Sequence, residues 1–298
     1  MKKMLIAAAL ATLSSLSQAA LNIVACEPEW AALAQELTGD KARIYSATTA
    51  MQDVHHIQAR PSLIAAVRNA DLLVCTGAEL EVGWLPVLQR QSGNAKVQAG
   101  QPGYFEAAAQ VRMLEVPARL DRADGDVHAA GNPHIQTDPR NIARVAEALA
   151  KRLAQIDPAN AAHYAARQSD FASRWSAAML RWEKEAAPLR GTPVAVQHKA
   201  FPYLQDWLGL KEVATLEPKP GVEPSSAYLA EVLARLQQTP ARLILRAAYN
   251  DGRSADWLAE RAKLPVVVLP FSVGGSARAK DLFGLFDDTL AQLLKAAK

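Results

Sequence analysis

The chain has only two cysteines in 298 residues, Cys26 and Cys75, and contains neither a CxxC pair nor an HExxH segment. The compact zinc-ribbon and zinc-protease signatures are thereby excluded. Past residue 19 no apolar run reaches the roughly 18 residues that a membrane-spanning helix needs. Basic blocks are missing too, as are aromatics interleaved with arginines, so nothing points to nucleic acid. Low-complexity tracts and short repeats do not occur. Charge is nearly balanced, with 33 Lys and Arg against 30 Asp and Glu.

Half of the sequence is apolar, enough for two domains of ordinary size, each with a buried core. Residues 1–19 have the make-up of a secretory signal peptide: Lys2 and Lys3, the apolar run Met4–Leu13, and Ser17-Gln18-Ala19 as a small-x-small cleavage site. Cleavage there leaves 31 basic against 30 acidic residues. Cys26 lies well past the apolar stretch and is not in a lipobox, so the expectation is a soluble periplasmic protein without a lipid anchor. In that oxidising compartment Cys26 and Cys75, each ending an apolar run, either bond or remain two buried thiols.

Short β-branched runs alternate with helical stretches. Strands are expected at Leu21–Cys26, Ala42–Ala47, Asp71–Thr76 and Val111–Val116, then at Pro193–Gln197, Glu212–Leu216, Leu243–Ala247 and Val266–Leu269. Between and after them lie helical patterns, among them Trp30–Leu37, Ser62–Asn69, Trp84–Gln91, Phe201–Trp207, Ala227–Gln237, Ala255–Leu264 and Asp281–Ala297. Such alternation predicts α/β architecture with parallel sheets. Pro158–Pro188 holds no glycine, and Tyr164, Phe171, Trp175, Ala178 and Trp182 fall on one helical face. Asp157 can cap this helix, and its length of about 46 Å suits a strut crossing both domains. The expected organisation is two doubly wound parallel-sheet lobes, residues 20–156 and 191–298, joined by a long linking helix over 157–190.

Six histidines are present. His163 sits within the long helix as a packing or surface residue. His55 and His56 follow the second strand in "QDVHHIQARPS", His134 lies in "GNPHIQTDP" between a rigid turn and a helix start at Asp138-Pro139, and His198 ends a strand in "VAVQHKAFPYL". Ligands of doubly wound sheets bind beyond the carboxyl ends of strands. Two facing lobes bring these loops to one cleft, where three neutral imidazoles suit Zn²⁺; Mn²⁺ would call for more carboxylate.

The three segments, in this order, resemble the metal-binding solute-binding proteins of zinc/manganese ABC importers (cluster A-I), most closely the ZnuA-like branch. The motif histidine six residues before Pro-Ser is His55. The motif Asp-Pro-His, followed shortly by Asp-Pro, points to His134, with Asn132 in place of the aspartate. The histidine ahead of an aromatic segment and Gly-Leu is His198. His56 points the opposite way from His55 on an extended segment. The resemblance implies capture of Zn²⁺ by His55, His134 and His198, delivery to an inner-membrane ABC permease with its separate ATPase, and a monomer that is not an enzyme.

Two departures stand out. Where relatives supply an aspartate from the last lobe, this chain has Phe271, Ser272 and Val273. The remaining position then falls to water or to a carboxylate, with Glu27, Asp53, Glu79 and Asp281 as candidates for fourth ligand or outer support. The histidine-rich loop is missing too; "DRADGDVHAAGNP" keeps a single His128, a candidate for metal capture. Tyr249 and Asp251 line the cleft or belong to a turn. Two rival readings are a Mn²⁺ or metal-chelate binder of the same fold and a zinc hydrolase; no general base beside the histidines favours the latter.

Overall fold

The computed structural model describes residues 20–119, 121, 123 and 125–298. The signal-peptide expectation for residues 1–19 lies outside the described residues. The first sheet holds β1 (Leu21–Ala25), β2 (Ala42–Ser46), β3 (Leu72–Cys75) and β4 (Tyr104–Glu106), in the order β2-β1-β3-β4. The second holds β5 (Pro193–Val196), β6 (Lys211–Thr215), β7 (Leu243–Ala247) and β8 (Val266–Leu269), in the equivalent order β6-β5-β7-β8. Every strand pair is parallel. The chain is thus two α/β lobes of one plan.

The strands are apolar on both sides because both faces are covered. Ile23, Ala25, Leu72 and Val74 face the large central core, whereas Val24, Cys26, Leu73 and Cys75 face a smaller outer one. In the second lobe Val194, Val196, Leu243 and Leu245 face the same central core, and Ala195 and Ile244 face the outside cluster. One core therefore runs through both lobes. Its spine is α5 (Ala161–Ala186), about 39 Å long at 1.5 Å per residue. Tyr164, Phe171, Trp175 and Trp182 are buried along a single stripe of it. Both Trp indoles are hydrogen-bonded: Trp175 Nε1 donates to Pro139 O (2.8 Å) and Trp182 Nε1 to Asp287 (2.6 Å).

The long helix is shorter than the sequence pattern suggests. Pro158–Asn160 and Ala187–Leu189 are 3₁₀ turns flanking it. Asp157 makes no cap to a backbone N–H; its carboxylate takes the Tyr164 hydroxyl (2.5 Å) and the Asn160 amide (2.8 Å). The fourth strand is also displaced. It is Tyr104–Glu106, paired with Leu73–Cys75, and not Val111–Val116. The apolar alternation at 111–116 has another cause: Met113 and Leu114 pack on the central core, while Glu115, at φ +52°, turns the chain away. A further helix, α4 (Pro139–Ile156), starts where Asp138 accepts the Arg140 N–H (2.8 Å).

Cys26 and Cys75 are bonded, joining the ends of β1 and β3 with Cα atoms 4.8 Å apart. Closing 49 residues of chain contributes about 4 kcal/mol in the chain-entropy model. Replacing both cysteines by alanine should lower unfolding free energy by about 2–4 kcal/mol in urea titrations. An unchanged midpoint and slope would mean that the bridge constrains nothing.

Candidate metal centre

His55 lies in a 3₁₀ turn, Val54–His56, after β2. Asp53 fixes it twice, accepting from the His55 backbone N–H (3.0 Å) and bonding its ring Nδ1 (2.8 Å). Trp84 Nε1 holds the same turn through Val54 O (2.8 Å). His198 follows β5 by two residues, and its Nδ1 meets Glu217 Oε2 at 2.7 Å, two residues beyond β6. Both carboxylates accept the Nδ1 proton, so both rings present an Nε2 lone pair toward the cleft.

His134 precedes the 3₁₀ turn Ile135–Thr137. Its backbone N–H donates to Asn132 Oδ1 (3.0 Å), and its carbonyl accepts the Thr137 hydroxyl (3.0 Å). Asn132 Nδ2 also donates to Lys199 O in the second lobe (2.7 Å). An aspartate there would lack that donor, so this departure from the motif gives a direct tie between lobes. Gly131, at φ +108°, approaches Leu114 O so closely that a Cβ has no room. The rigid turn "GNP" is therefore required by both backbone and side chain.

One ligand atom from each of His55, His134 and His198 lies within 4.8 Å of the other two. His134 Nε2 and His198 Nε2 are 3.4 Å apart. A tetrahedral zinc with Zn–N bonds of 2.0–2.1 Å requires ligand nitrogens about 3.3–3.4 Å from one another. His134 and His198 are buried, at 3% and 6% exposure, and the His55 side chain is 7% exposed. Burial, reinforced by the neighbouring His55 and His198, holds the His134 pKa well below the usual imidazole value. His134 therefore stays neutral and able to ligate in mildly acid solution. Two ring nitrogens here are buried without a hydrogen-bond partner, His55 Nε2 and His134 Nδ1.

The other expected residues fall into distinct places. Asp53 stands behind His55; although burial opposes it, the His55 hydrogen bond and charge hold its carboxyl below the ordinary range. Glu79 accepts the Ala129 N–H (2.8 Å), and Asp281 caps α9 (Leu282–Ala296) through Gly284 N (2.7 Å). Glu27 is buried against Thr76, taking its N–H (3.1 Å) and hydroxyl (3.0 Å). His128 stands with its ring centroid 5.4 Å from His55, half-buried, its pKa pushed down to about 4 by desolvation first and His55 second. His56 is exposed, 3.8 Å from Asp126. His163 Nε2 donates to Thr38 O (2.8 Å), packing α5 onto α1 (Pro28–Thr38). Tyr249 packs on Phe271 (5.3 Å), and Asp251 is a turn residue paired with Arg253. Phe271 itself, at φ +64°, lays its ring 5.3 Å from that of His134. Glu217, the carboxylate behind His198, was not singled out by sequence reasoning; its place two residues past a strand end was the available signal.

The family model for ZnuA, "Zinc-uptake complex component A periplasmic", matches residues 23–296. The chain belongs to the ZnuA family. It is 22% identical over 268 residues to the "High-affinity zinc uptake system protein ZnuA" of Bacillus subtilis (strain 168), covering 89% of this chain and 82% of that protein. It is likewise 22% identical over 275 residues to the "Manganese ABC transporter substrate-binding lipoprotein PsaA" of Streptococcus pneumoniae, covering 90% and 85%. The structure described as "Crystal structure of ZnuA" superposes with a TM-score of 0.79 at 20% identity, over 94% of this chain and all of that one. Membership in a family of transporter substrate-binding components, not enzymes, sets aside the hydrolase reading. No helix among the described residues is long and apolar enough to cross a membrane.

Behind the first-lobe side of the centre lie three buried acids, Glu27, Glu29 and Glu81. Glu81 is wrapped by Gly77, Ala78 and Glu79, all at positive φ, and accepts Thr76 N–H (2.7 Å) and Gly77 N–H (3.1 Å). Burial pushes Glu29 and Glu81 up to about 7 and, together with the neighbouring Glu81 and Glu29 charges, raises Glu27 well above the ordinary carboxylate range. A raised folded-state carboxyl stabilises below its unfolded value near 4.3 and loses that contribution as pH rises through the folded value. Relative to wild type, Glu81→Gln should therefore gain melting temperature as pH rises from about 5 to about 7.5. A difference independent of pH over that range would contradict a raised Glu81 pKa.

Proposed function

We propose that this ZnuA-family protein captures Zn²⁺ with Nε2 of His55, His134 and His198 and delivers it to an ABC permease driven by a separate ATPase. The observation that carries this reading is the convergence of three imidazole nitrogens, from three separate loops and both lobes, within 4.8 Å. Zinc is favoured over manganese by the donor set: the ligand atoms that come within 4.8 Å of one another at this centre are all histidine nitrogens, and it is the Phe271 ring, not a carboxylate, that lies beside His134. Asp53 and Glu217 hold the two rings nearest them and raise their basicity. The protein acts as a monomer in the periplasm, without a lipid anchor, consistent with a Cys26 that is buried and disulfide-bonded.

Because both lobes supply ligands, zinc bound there ties them together. Saturating zinc should raise the melting temperature by several degrees, and His134→Ala or His198→Ala should weaken zinc binding at least tenfold in calorimetry. Glu217→Gln should weaken it about tenfold with folding intact. Wild-type affinity in either histidine variant would refute the ligand assignment. Mn²⁺ binding as tight as Zn²⁺ would refute the selectivity.

A further inference from the structure

Two of the three rings at the centre have a carboxylate directly behind them. Asp53 holds His55 and Glu217 holds His198, each through Nδ1, at 2.8 and 2.7 Å. His134 presents Nε2 to the same point, 3.4 Å from His198 Nε2, so when it ligates, its ring proton lies on Nδ1. That Nδ1 is buried and meets no hydrogen-bond partner among the described residues. An imidazole that binds a metal almost always passes its second ring N–H to a carboxylate, a carbonyl or a water.

Two acceptors nearby are in the same condition, Glu27 Oε1 and Gln136 Oε1. Glu27, His134 and Gln136 are 1%, 3% and 3% exposed. All three residues line one cavity of about 10 Å³, closed on its sides by Pro28 and Phe271 among others. That is room for a single water molecule. A water there accepts from His134 Nδ1–H and donates to Glu27 Oε1 and Gln136 Oε1, the three hydrogen bonds that a buried water typically makes.

Glu27 is itself held fast. Its Oε2 accepts the Thr76 N–H (3.1 Å) and the Thr76 hydroxyl (3.0 Å), and Thr76 Oγ1 takes the Trp30 indole N–H (2.8 Å). Cys26 and Cys75, bonded to each other, immediately precede Glu27 and Thr76. The carboxyl therefore rides on the joined ends of β1 and β3. Its charge does not decide the bridge, because a protonated carboxyl also bonds water.

We infer that Glu27 is the third positioning carboxyl of the centre, holding the His134 ring through one buried water that it shares with Gln136. This rests on the three-histidine centre proposed above. The water fixes the Nδ1–H tautomer of His134 and so keeps its Nε2 lone pair free for the ion.

The test reads the metal-free, full mature chain by NMR with ¹⁵N-labelled histidine, and zinc binding by calorimetry. In wild type the His134 Nδ1–H should show a cross-peak to a long-lived water. Glu27→Met should remove that cross-peak, let the ring populate both tautomers and weaken zinc binding about tenfold. Glu27→Gln keeps an acceptor at the cavity and should restore all three readouts to near wild type. Should Glu27→Met fail to fold, Gln136→Met reads the same water and should also lose the cross-peak. Unchanged ring signals in either methionine variant, or weakened zinc binding without a change at the ring, would overturn the role of Glu27 while the zinc centre stands. If wild type shows the water cross-peak but binds no zinc, the centre itself fails.

Discussion

Three largely desolvated imidazoles packed edge to face at one point, His55, His134 and His198, impose the main constraint on this molecule. Nitrogen lone pairs held near 3.4 Å have no attraction of their own unless a proton or a cation lies between them. The surrounding chain therefore has to hold them there. Asp53 and Glu217 fix two rings from behind, Asn132 fixes the backbone of the third, and Phe271 closes one face. Each of these groups sits in a loop, and each loop leaves the carboxyl edge of a sheet or leads into a capped helix.

The lobes in turn are prevented from drifting. The α5 stripe and one continuous core run through both. Polar ties supplement it across the cleft: Ser272 Oγ to buried Glu29 (2.5 Å), Arg140 to Asp206 (2.6 Å), and the Tyr203 hydroxyl to Asn132 O (2.7 Å). A long helix bends only by breaking backbone hydrogen bonds, so this frame favours small local rearrangements over wide hinge opening.

Most of the fold was legible in the sequence because the signals were local. Apolar strands covered on both faces read as continuous runs, and seven of the eight lie within a residue or so of their expected places. The eighth failed for a physical reason. Tyr104–Glu106 is only three residues long and carries no apolar run, whereas Val111–Val116 borrows its pattern from packing on the core. His55, His134 and His198 were found through their segments and their positions after strands. Glu217, Asn132's bond to Lys199, and the buried Glu29 and Glu81 were not, since each gains its meaning from a partner brought near only by folding. The same holds for Arg140, which spans to Asp206 66 residues away.

Anomalous diffraction at the zinc edge from crystals of the zinc-loaded protein bears most directly on the centre. The expected result is a single peak lying about 2.0–2.1 Å from Nε2 of His55, His134 and His198. A stoichiometric zinc peak elsewhere, with these three rings unliganded, would contradict it.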